Sequence, residues 1–545
     1  MIFPKGSAIY IRIEEFLLTA LIISLPFSNL AGHWHLGFAG SNLTTSFLIL
    51  ALAILWIWHI KTGEVVFPHK KFILLTMAWF VLCLTIGMVT CAYYTDQVNN
   101  ILMQSSLASF SRKLGLSEQD SIIIGHLRLY FKFLKLMFRD FFLPLFGIYI
   151  VFYNLFMRKS LFREEAQRIS IAAFILSLAL ECFSIPEIVW IWTQSPACES
   201  FLKFVNTHIY DIGSAYGSWP PLLLPRVRSL CPEPAIFGIL SLFLLPILAM
   251  RIINGKKWEI IPIAFLGVMI AGSKSISTIY VLAVMIVIFL TGCAICKYKN
   301  WARFLIAFVV LITLTGYVLN LSGTVVGNYV QALHSESAVA SLKNDGQQPT
   351  GQLMEESFKS NIMQIIETYN KSLQLEYHGP GSRVVETKAA MMTGIQHPIF
   401  GVGYGYENAY MAELSTPEML QIDEYRMFVN YVKQRTFARS GIPVLNQVTR
   451  VFARAGIIGL CLFLTPLAYS LYLVCKKRSW LSRDMGLLML ICMVCGEFIS
   501  LMGNFIFYPY VISLALLLIY LESPTQNILV GQNTEHNNRN SLQRN

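Results

Sequence analysis

Charged side chains are scarce in this sequence. Lys, Arg, Asp and Glu together make up 13% of the 545 residues, roughly half of the share that is usual in a soluble domain. Hydrophobic residues make up 55%, and the mean hydropathy is +0.56. The apolar residues occur in runs such as FILLTMAWFVLCLTIGMV, close to the length that crosses a bilayer. The composition therefore excludes an ordinary soluble protein and predicts a polytopic membrane protein.

Features of several other protein classes are also missing. No A-x-A-like site follows the first apolar run, so no cleavable signal peptide is expected. The net charge of +11 comes from short basic clusters between apolar runs, a pattern that indicates membrane topology rather than nucleic-acid binding. Most of the eleven cysteines lie in apolar runs, where they act as small apolar residues, and no Cys or His spacing resembles a metal site. We expect neither a metal ion nor a cofactor.

The predicted fold class is an all-α polytopic membrane protein with about 12 transmembrane helices. With the N-terminus in the cytoplasm, five inner loops carry Lys and Arg, in agreement with the positive-inside rule. Both termini are then cytoplasmic. The predicted spans lie near residues 13–30, 43–60, 72–93, 141–157, 169–192, 233–250, 259–272, 276–295, 304–321, 455–475, 484–503 and 507–521.

The chain accordingly divides into four parts. Residues 1–321 hold nine spans and two smaller outer loops, and residues 322–454 form a large, partly helical outer loop between the ninth and tenth spans. Residues 455–522 hold three spans, and residues 523–545 form a polar tail that we expect to be disordered and cytoplasmic. Just before the fourth span, basic residues at helical spacing predict an amphipathic helix on the outer surface: Arg128, Lys132, Lys135 and Arg139.

The stretch IQHPIFGVGYGYENAY, residues 395–410, is the most unusual part of the large outer loop. Gly401, Gly403 and Gly405 alternate with larger residues, but the pattern G-x-G-x-x-G is not completed and no Walker lysine follows, so nucleotide binding is rejected. Alternate glycines permit positive φ or a close approach of the backbone to another group. His397 precedes a proline and is a candidate for acid–base work or phosphate contact. The alternative is an ordinary structural histidine in a turn.

Three segments together resemble the O-antigen ligase and polymerase superfamily of integral-membrane glycosyltransferases. Arg383 followed by HPIFGVGYG resembles the family's arginine upstream of a histidine–proline–glycine motif in a large outer loop. RVRSLCPEPAIFG before the sixth span, and NQVTRVFARAGIIGL leading into the tenth, resemble two further family segments. The likeness covers most of the chain from residue 220 onward. It departs at Leu445, where the family often has histidine, and at Glu233, where many members have Asn or Asp.

This resemblance implies transfer of a glycan from an undecaprenyl-diphosphate carrier to an acceptor hydroxyl, without a metal, on the outer face of the inner (cytoplasmic) membrane. Guanidinium groups bind phosphate oxygens bidentately, so Arg383 and Arg226 are predicted to hold the leaving diphosphate and His397 to position or activate the acceptor. Without the resemblance, Arg383 would be a solvated helix residue and Arg226 a contact to lipid headgroups. Further substrate contacts are predicted at Arg228, Glu233, Lys274, Gly401, Gly403, Tyr404 and Asn446.

Two enzyme functions share this donor chemistry. A polysaccharide polymerase joins lipid-linked repeat units, whereas an O-antigen ligase moves the glycan to lipid A core or a protein. Glu233 before a proline, together with the long outer loop, favours the polymerase. A polysaccharide transporter or flippase is the alternative from another class, although no inverted repeat indicates it. Expected partners are the undecaprenyl-diphosphate-linked glycan, the acceptor glycan or lipid, membrane lipids, and chain-length regulator and flippase proteins, but not nucleic acid.

A disulfide between Cys198 and Cys231 is a further expectation. Both cysteines fall in the second outer loop, on the oxidising side of the membrane in this topology. A bridge would tie the segment that carries Arg226 to the end of the fifth span. The alternative is that Cys231 simply packs at the start of the sixth span.

Overall fold

The computed structural model describes residues 7–28, 30, 31, 34, 40–91, 113, 115, 117–156, 162–210, 226–253, 256–273, 275–295, 381–435, 442, 444, 446–477, 485–502 and 507–522. Several predictions fall on other residues. The ninth span at 304–321, Lys274, Leu445, the large outer loop before residue 381 and the tail at 523–545 lie outside the described residues.

The described part of the chain is all-helical. In chain order its α-helices are α1 (Ser7–Ile23), α2 (Leu43–Thr62), α3 (Lys70–Cys91), α4 (Glu118–Met137), α5 (Ile148–Phe156), α6 (Phe162–Thr193), α7 (Pro196–Ile209), α8 (Pro234–Ile253), α9 (Ile260–Gly272), α10 (Ile276–Ile295), α11 (residues 381–396), α12 (Glu407–Glu413), α13 (Asp423–Arg435), α14 (Gln447–Lys476), α15 (Met485–Ser500) and α16 (Tyr508–Glu522). A π-helix, Phe138–Gly147, joins α4 to α5, and short 3₁₀ turns lie at Lys257–Glu259 and Met419–Gln421.

Seven helical segments among the described residues are long and apolar enough to cross a membrane, and three shorter apolar helices, α9, α15 and α16, accompany them. Together these segments coincide with ten of the predicted spans, and α1 overlaps the predicted first span. They support a polytopic membrane protein. The finer count of twelve spans stays a prediction.

The bounds of α2 illustrate how the sequence sets a span. The side chain of Asn42 accepts hydrogen bonds from the N–H groups of Thr44 and Thr45 at 3.0 and 3.3 Å, which satisfies two of the unpaired donors at a helix start. At the other end, Gly63 adopts φ 66° and its N–H donates to the carbonyl of His59. A left-handed glycine is a common helix stop because it has no Cβ to clash.

The fourth span corrects one expectation. Ile123–Phe156 is one continuous helical segment of 34 residues, made of most of α4, the π-helix and α5. The basic helix that was predicted to lie separately before the fourth span therefore continues into that span without a break. Pro144 lies inside the π-helix, and a widened turn of this kind accommodates a residue that lacks the N–H donor.

The centre of the bundle is α16, which is buried along most of its length. It packs against α5, α14 and α15, while α1 packs against α2 and α6, and α3 packs against α14. Large apolar side chains such as Phe152, Phe243 and Phe463 are almost completely buried between these helices. The glycine-rich segment enters between α3 and α14.

Segments that were predicted to lie on the same side of the membrane meet in space. At one end, His69 lies 3.2 Å from Glu522 and Arg251 forms a 2.6 Å ion pair with Glu259. At the other end, Thr45 and Tyr508 share a 2.7 Å hydrogen bond, and the N–H of Gln447 donates to the carbonyl of Leu501 at 2.9 Å. These contacts agree with the predicted alternation of the spans. Which end faces the cytoplasm stays a prediction.

Candidate functional site

The glycine-rich segment is wedged between α3, α4 and α14. Gly401, Gly403 and Gly405 all have positive φ, at 63°, 83° and 88°. A Cβ on Gly401 would lie 2.5 Å from the carbonyl oxygen of Ala453, and one on Gly403 would lie 2.9 Å from that of Cys83. The glycines are therefore required both for their dihedral angles and for the approach of two helix backbones. In this structure, Gly401 and Gly403, predicted to contact substrate, contact protein backbone instead.

The same segment fills a break in α14. Gly456 has φ 64° and ψ −167°, which interrupts the helix after its first three turns. The carbonyls of Ala453 and Arg454 accept hydrogen bonds from the N–H groups of Val402 and Gly403 at 2.9 and 3.0 Å. Backbone groups that are freed inside a membrane bundle need such partners. The break in α14 and the alternate glycines are thus one structural unit.

Two further hydrogen bonds close this unit. The indole N–H of Trp79 on α3 donates to the carbonyl of Ala455 at 3.0 Å, and the N–H of Ile457 donates to the carbonyl of Pro398 at 2.8 Å. The ring of Trp79 also stacks on Phe400, with centroids 5.2 Å apart. The HPIF part of the motif is therefore tied to both α3 and α14.

A buried ion pair fixes the end of the glycine-rich segment. Glu407, the first residue of α12, is 1% exposed and its Oε1 accepts hydrogen bonds from the Nε and the Nη2 of Arg454, the former at 2.6 Å. Its Oε2 accepts the N–H of Gly405 at 2.6 Å. Burial would raise the pKa of Glu407, but Arg454 and Arg450 outweigh it and hold that pKa below its ordinary value.

Tyr404 belongs to this buried cluster. Its side chain is 9% exposed, and the guanidinium of Arg454 lies 3.7 Å from the centre of its ring. Burial raises the pKa of Tyr404, although the positive charge of Arg454 opposes that shift. The guanidinium of Arg454 covers one face of the Tyr404 ring, so that face is not open for the predicted contact with a glycan.

His397 lies at the junction between α11 and the glycine-rich segment. Its ring is half-buried and packs edge-on against Tyr410, with centroids 5.1 Å apart, and partial burial lowers its pKa. Its neighbours Ile395, Ile399 and Phe400 are exposed. An imidazole that is mostly neutral near pH 7 can accept a proton, and the exposed apolar residues around it suit the interface with lipid.

Arg226, Arg383 and Glu233 form a second cluster. Arg383 is exposed on the first turn of the described part of α11, whereas Arg226 and Glu233 are half-buried on the loop before α8. Burial lowers the pKa of Arg226, and the charge of Arg383 lowers it further. Burial raises the pKa of Glu233, while Arg383 and Arg228 oppose that shift. The structure thus brings together three of the predicted site residues from two distant segments.

Arg228 supports the loop that carries this cluster. Its side chain is 2% exposed, and its guanidinium donates to Asn206 Oδ1 at 2.6 Å and to the carbonyl of Pro232 at 3.2 Å. Glu187 on α6 accepts the N–H groups of Arg228 and Ser229 at 3.1 and 2.8 Å, which holds Ser229 at φ 52°. Arg228 therefore positions Arg226 and Glu233, and its guanidinium is occupied by the protein.

Asn446 also has a structural role. Its Oδ1 accepts the N–H groups of Val448 and Thr449 at 3.1 and 3.2 Å and so caps the start of α14. A cap of this kind stabilises a helix by about 1 kcal/mol. The side-chain oxygen that was predicted to contact substrate is thus already used.

The two clusters stand at opposite ends of the described part of α11. Fourteen residues separate Arg383 from His397 along α11, a distance of about 20 Å at 1.5 Å per residue. Gly394 fits against Phe452 of α14 at the His397 end. The structure therefore joins Arg383 with Arg226, but it does not bring His397 to them.

Cys198 and Cys231 correct the predicted disulfide. Both are free thiols. Cys231 is completely buried beside Arg228 and Glu187, and its N–H donates to the carbonyl of Arg228 at 3.0 Å. Cys198 packs on the first turn of α7. The loop of Arg226 is held by Glu187 and Arg228, so it needs no bridge.

The sequence analysis missed Glu407, Arg454 and Glu187. Glu407 stands in the quoted motif, two residues after the last glycine, and Arg454 stands two residues before Gly456. An acidic residue beside Gly405 and a basic residue beside Gly456 are a signal that could have suggested the pair of Glu407 and Arg454. No comparable signal pairs Glu187 with a loop 40 residues later. Among the described residues, no group of three or more His, Cys, Asp or Glu could hold a metal ion.

The chain was compared with protein-family models, curated proteins and solved structures. No family model, curated protein or solved structure matches it.

Proposed function

We propose that this protein is a membrane glycosyltransferase, a polysaccharide polymerase that uses an undecaprenyl-diphosphate-linked donor on the outer face of the inner membrane. The observation that carries the proposal is that Arg383, from a distant segment, lies near enough for its charge to lower the pKa of Arg226 and to oppose the raised pKa of Glu233. Like charges repel, so a chain that collects two guanidinium groups in one place prepares a site for an anion.

The chemistry follows from the properties of these groups. As the bond from the sugar to the diphosphate breaks, negative charge grows on the leaving oxygen, and two positioned guanidinium forks stabilise it. Half-burial of Arg226 strengthens that interaction, because fewer water dipoles compete with it. Glu233 lies close enough to orient Arg383 by charge, or to accept a hydrogen bond from a sugar hydroxyl.

His397 serves the acceptor in this proposal. Its lowered pKa leaves the imidazole neutral at pH 7, so it can accept the proton of the attacking hydroxyl or orient that group. The length of α11 separates His397 from Arg383 by about 20 Å, so a lipid-linked glycan would have to reach between them. A role in orienting a distant part of the acceptor is the alternative.

The test is the product of single variants in the producing cell. Arg226→Gln and Arg383→Gln should each abolish polymer and leave unpolymerised lipid-linked repeat unit, with normal protein level in the membrane. Arg426→Gln is the matched control, because Arg426 is an exposed arginine of α13 that pairs with Asp423. Normal polymer in both test variants would refute the diphosphate site. Loss of glycan attachment to lipid A core, with polymer length unchanged, would instead indicate the ligase.

A further inference from the structure

A second arginine, Arg450, lies beside the Glu407–Arg454 pair, near the end of the bundle that is predicted to face outward. Among the described residues, this cluster contains three guanidinium groups, those of Arg139, Arg450 and Arg454, and two carboxylates, those of Asp140 and Glu407. Arg139 binds Asp140 with its Nε at 2.5 Å and its Nη2 at 2.9 Å. Arg454 binds Glu407. The cluster therefore has one positive charge more than it has carboxylates.

The excess charge belongs to Arg450. Its nearest described carboxylate oxygen is Oε1 of Glu407, at 3.7 Å from Nε, and that oxygen already accepts two hydrogen bonds from Arg454. The distance is too long for a hydrogen bond. About a fifth of the Arg450 side chain, 21%, remains accessible, whereas its Nε is buried and makes no hydrogen bond among the described residues.

The position of Arg450 indicates what could approach it. It lies in the first turns of α14, at the end of the bundle where Thr45 meets Tyr508 and Gln447 meets Leu501. Tyr404 and Tyr508 also lie near this cluster, since both interact electrostatically with Arg139. At this end of the spans the groups of the bilayer that carry negative charge are lipid phosphates.

We infer that Arg450, with Arg139 beside it, forms a second oxyanion site, suited to the phosphate or diphosphate group of a membrane lipid. A planar guanidinium binds phosphate through two parallel N–H donors. A partly enclosed cation that shares a single carboxylate with a second arginine is costly unless a further anion compensates it. The site is separate from the Arg226–Arg383 cluster, because Arg450 lies with Glu407 and the glycine-rich segment.

In a polymerase this second site has a defined use, and this step rests on the proposed function. Two lipid-linked glycans must be held at once, one as donor and one as acceptor, and each carries a diphosphate. The Arg226–Arg383 cluster would hold the donor diphosphate, and Arg450 would hold that of the acceptor lipid near His397. The helix α11 would set the distance between the two anions.

The experiment measures binding of farnesyl diphosphate and of inorganic pyrophosphate to the purified full-length protein in nanodiscs. The wild type should bind two farnesyl diphosphate molecules. Arg450→Gln should weaken one site by roughly tenfold or more, since charge-assisted hydrogen bonds are lost. Arg226→Gln should weaken the other site. Arg450→Lys, which keeps the charge but not the fork, should fall between Arg450→Gln and the wild type, and Arg426→Gln should bind as the wild type does.

The outcomes are separable. One site in the wild type that is lost in Arg450→Gln and kept in Arg226→Gln would support this inference while refuting the proposed donor site. Unchanged binding in Arg450→Gln would overturn the inference, and equal affinity for pyrophosphate would overturn the lipid source. The melting temperature gives a second measure. Removing an excess cation should leave it unchanged or higher, whereas a structural role for Arg450 would lower it.

Discussion

The buried pair of Glu407 and Arg454 permits a quantitative test of the architecture around the glycine-rich segment. Glu407→Gln keeps the shape of the side chain and an oxygen that can accept the N–H of Gly405, but it removes the negative charge. Arg454 and Arg450 then lose the carboxylate that holds them. Removing one partner of a buried ion pair commonly costs about 3–5 kcal/mol, because the other charge remains buried without compensation.

A double-mutant cycle separates the charge pair from the packing. Arg454→Met alone should cost less than Glu407→Gln, because Arg450, 3.7 Å away, can move toward the carboxylate. The double variant Glu407→Gln with Arg454→Met should lose less than the sum of the two single losses, since only the charge of Arg450 is left without a carboxylate. The free energy of unfolding would be measured by titration of the purified protein in micelles with a denaturing detergent, followed by tryptophan fluorescence.

The pH dependence supplies an independent check. Because the folded-state pKa of Glu407 lies below its unfolded value, its contribution is fully present above the unfolded value, about 4.3, and is lost as the pH falls through the folded value. The loss of unfolding free energy caused by Glu407→Gln should therefore be constant between pH 5 and 8. A loss below 1 kcal/mol, or a double variant as unstable as the sum of the two single variants, would refute the reasoning.

Two further predictions concern a glycine and a carboxylate. Gly456→Ala should lower the free energy of unfolding by at least about 2 kcal/mol, because its Cβ would overlap the carbonyl of Ile399 in addition to the strain of positive φ. The matched control is Gly63→Ala, at φ 66° with open space around it, which should cost about 1 kcal/mol. Equal losses in the two variants would contradict the role assigned to the break in α14. Burial raises the pKa of Glu386 to about 7, so the wild type should lose stability as pH rises from 4.5 to 7, at up to about 1.4 kcal/mol per pH unit. Glu386→Gln should flatten this slope in a series of thermal unfolding curves, whereas the exposed Glu413→Gln should leave it unchanged.

Much of the fold could be predicted from the sequence because the thickness of the bilayer sets the length of an apolar run that spans it. The bounds of α2 and α10 follow directly from run length and flanking polar residues. The fourth span was harder, because its outer part is basic. A helix longer than the hydrocarbon core can continue into the interface with charged residues on it, and hydropathy alone does not mark where such a helix begins.

The sequence names candidate site residues one by one but does not show how they group in space. The motif identified His397 and Arg383, and the loop before α8 identified Arg226. Spacing in the sequence does not show that Arg383 and His397 lie at opposite ends of the described part of α11. That requires knowing that residues 381–396 are helical throughout. Roles of Arg228 and Asn446 were also hidden, because a buried hydrogen-bond partner such as Asn206 can come from any part of the chain.

The glycine-rich segment links the two candidate clusters mechanically. It satisfies the broken backbone of α14 with the N–H groups of Val402 and Gly403, and it starts at the residue where α11 ends. A shift of α14 would therefore displace His397 directly and Arg383 only through the length of α11. Arg450 and Arg454 lie on the turns of α14 to which the glycine-rich segment is hydrogen-bonded. An anion bound at Arg450 would therefore act on the segment that begins at His397. In the proposed polymerase, binding of the second lipid and positioning of the acceptor group would then be parts of one event.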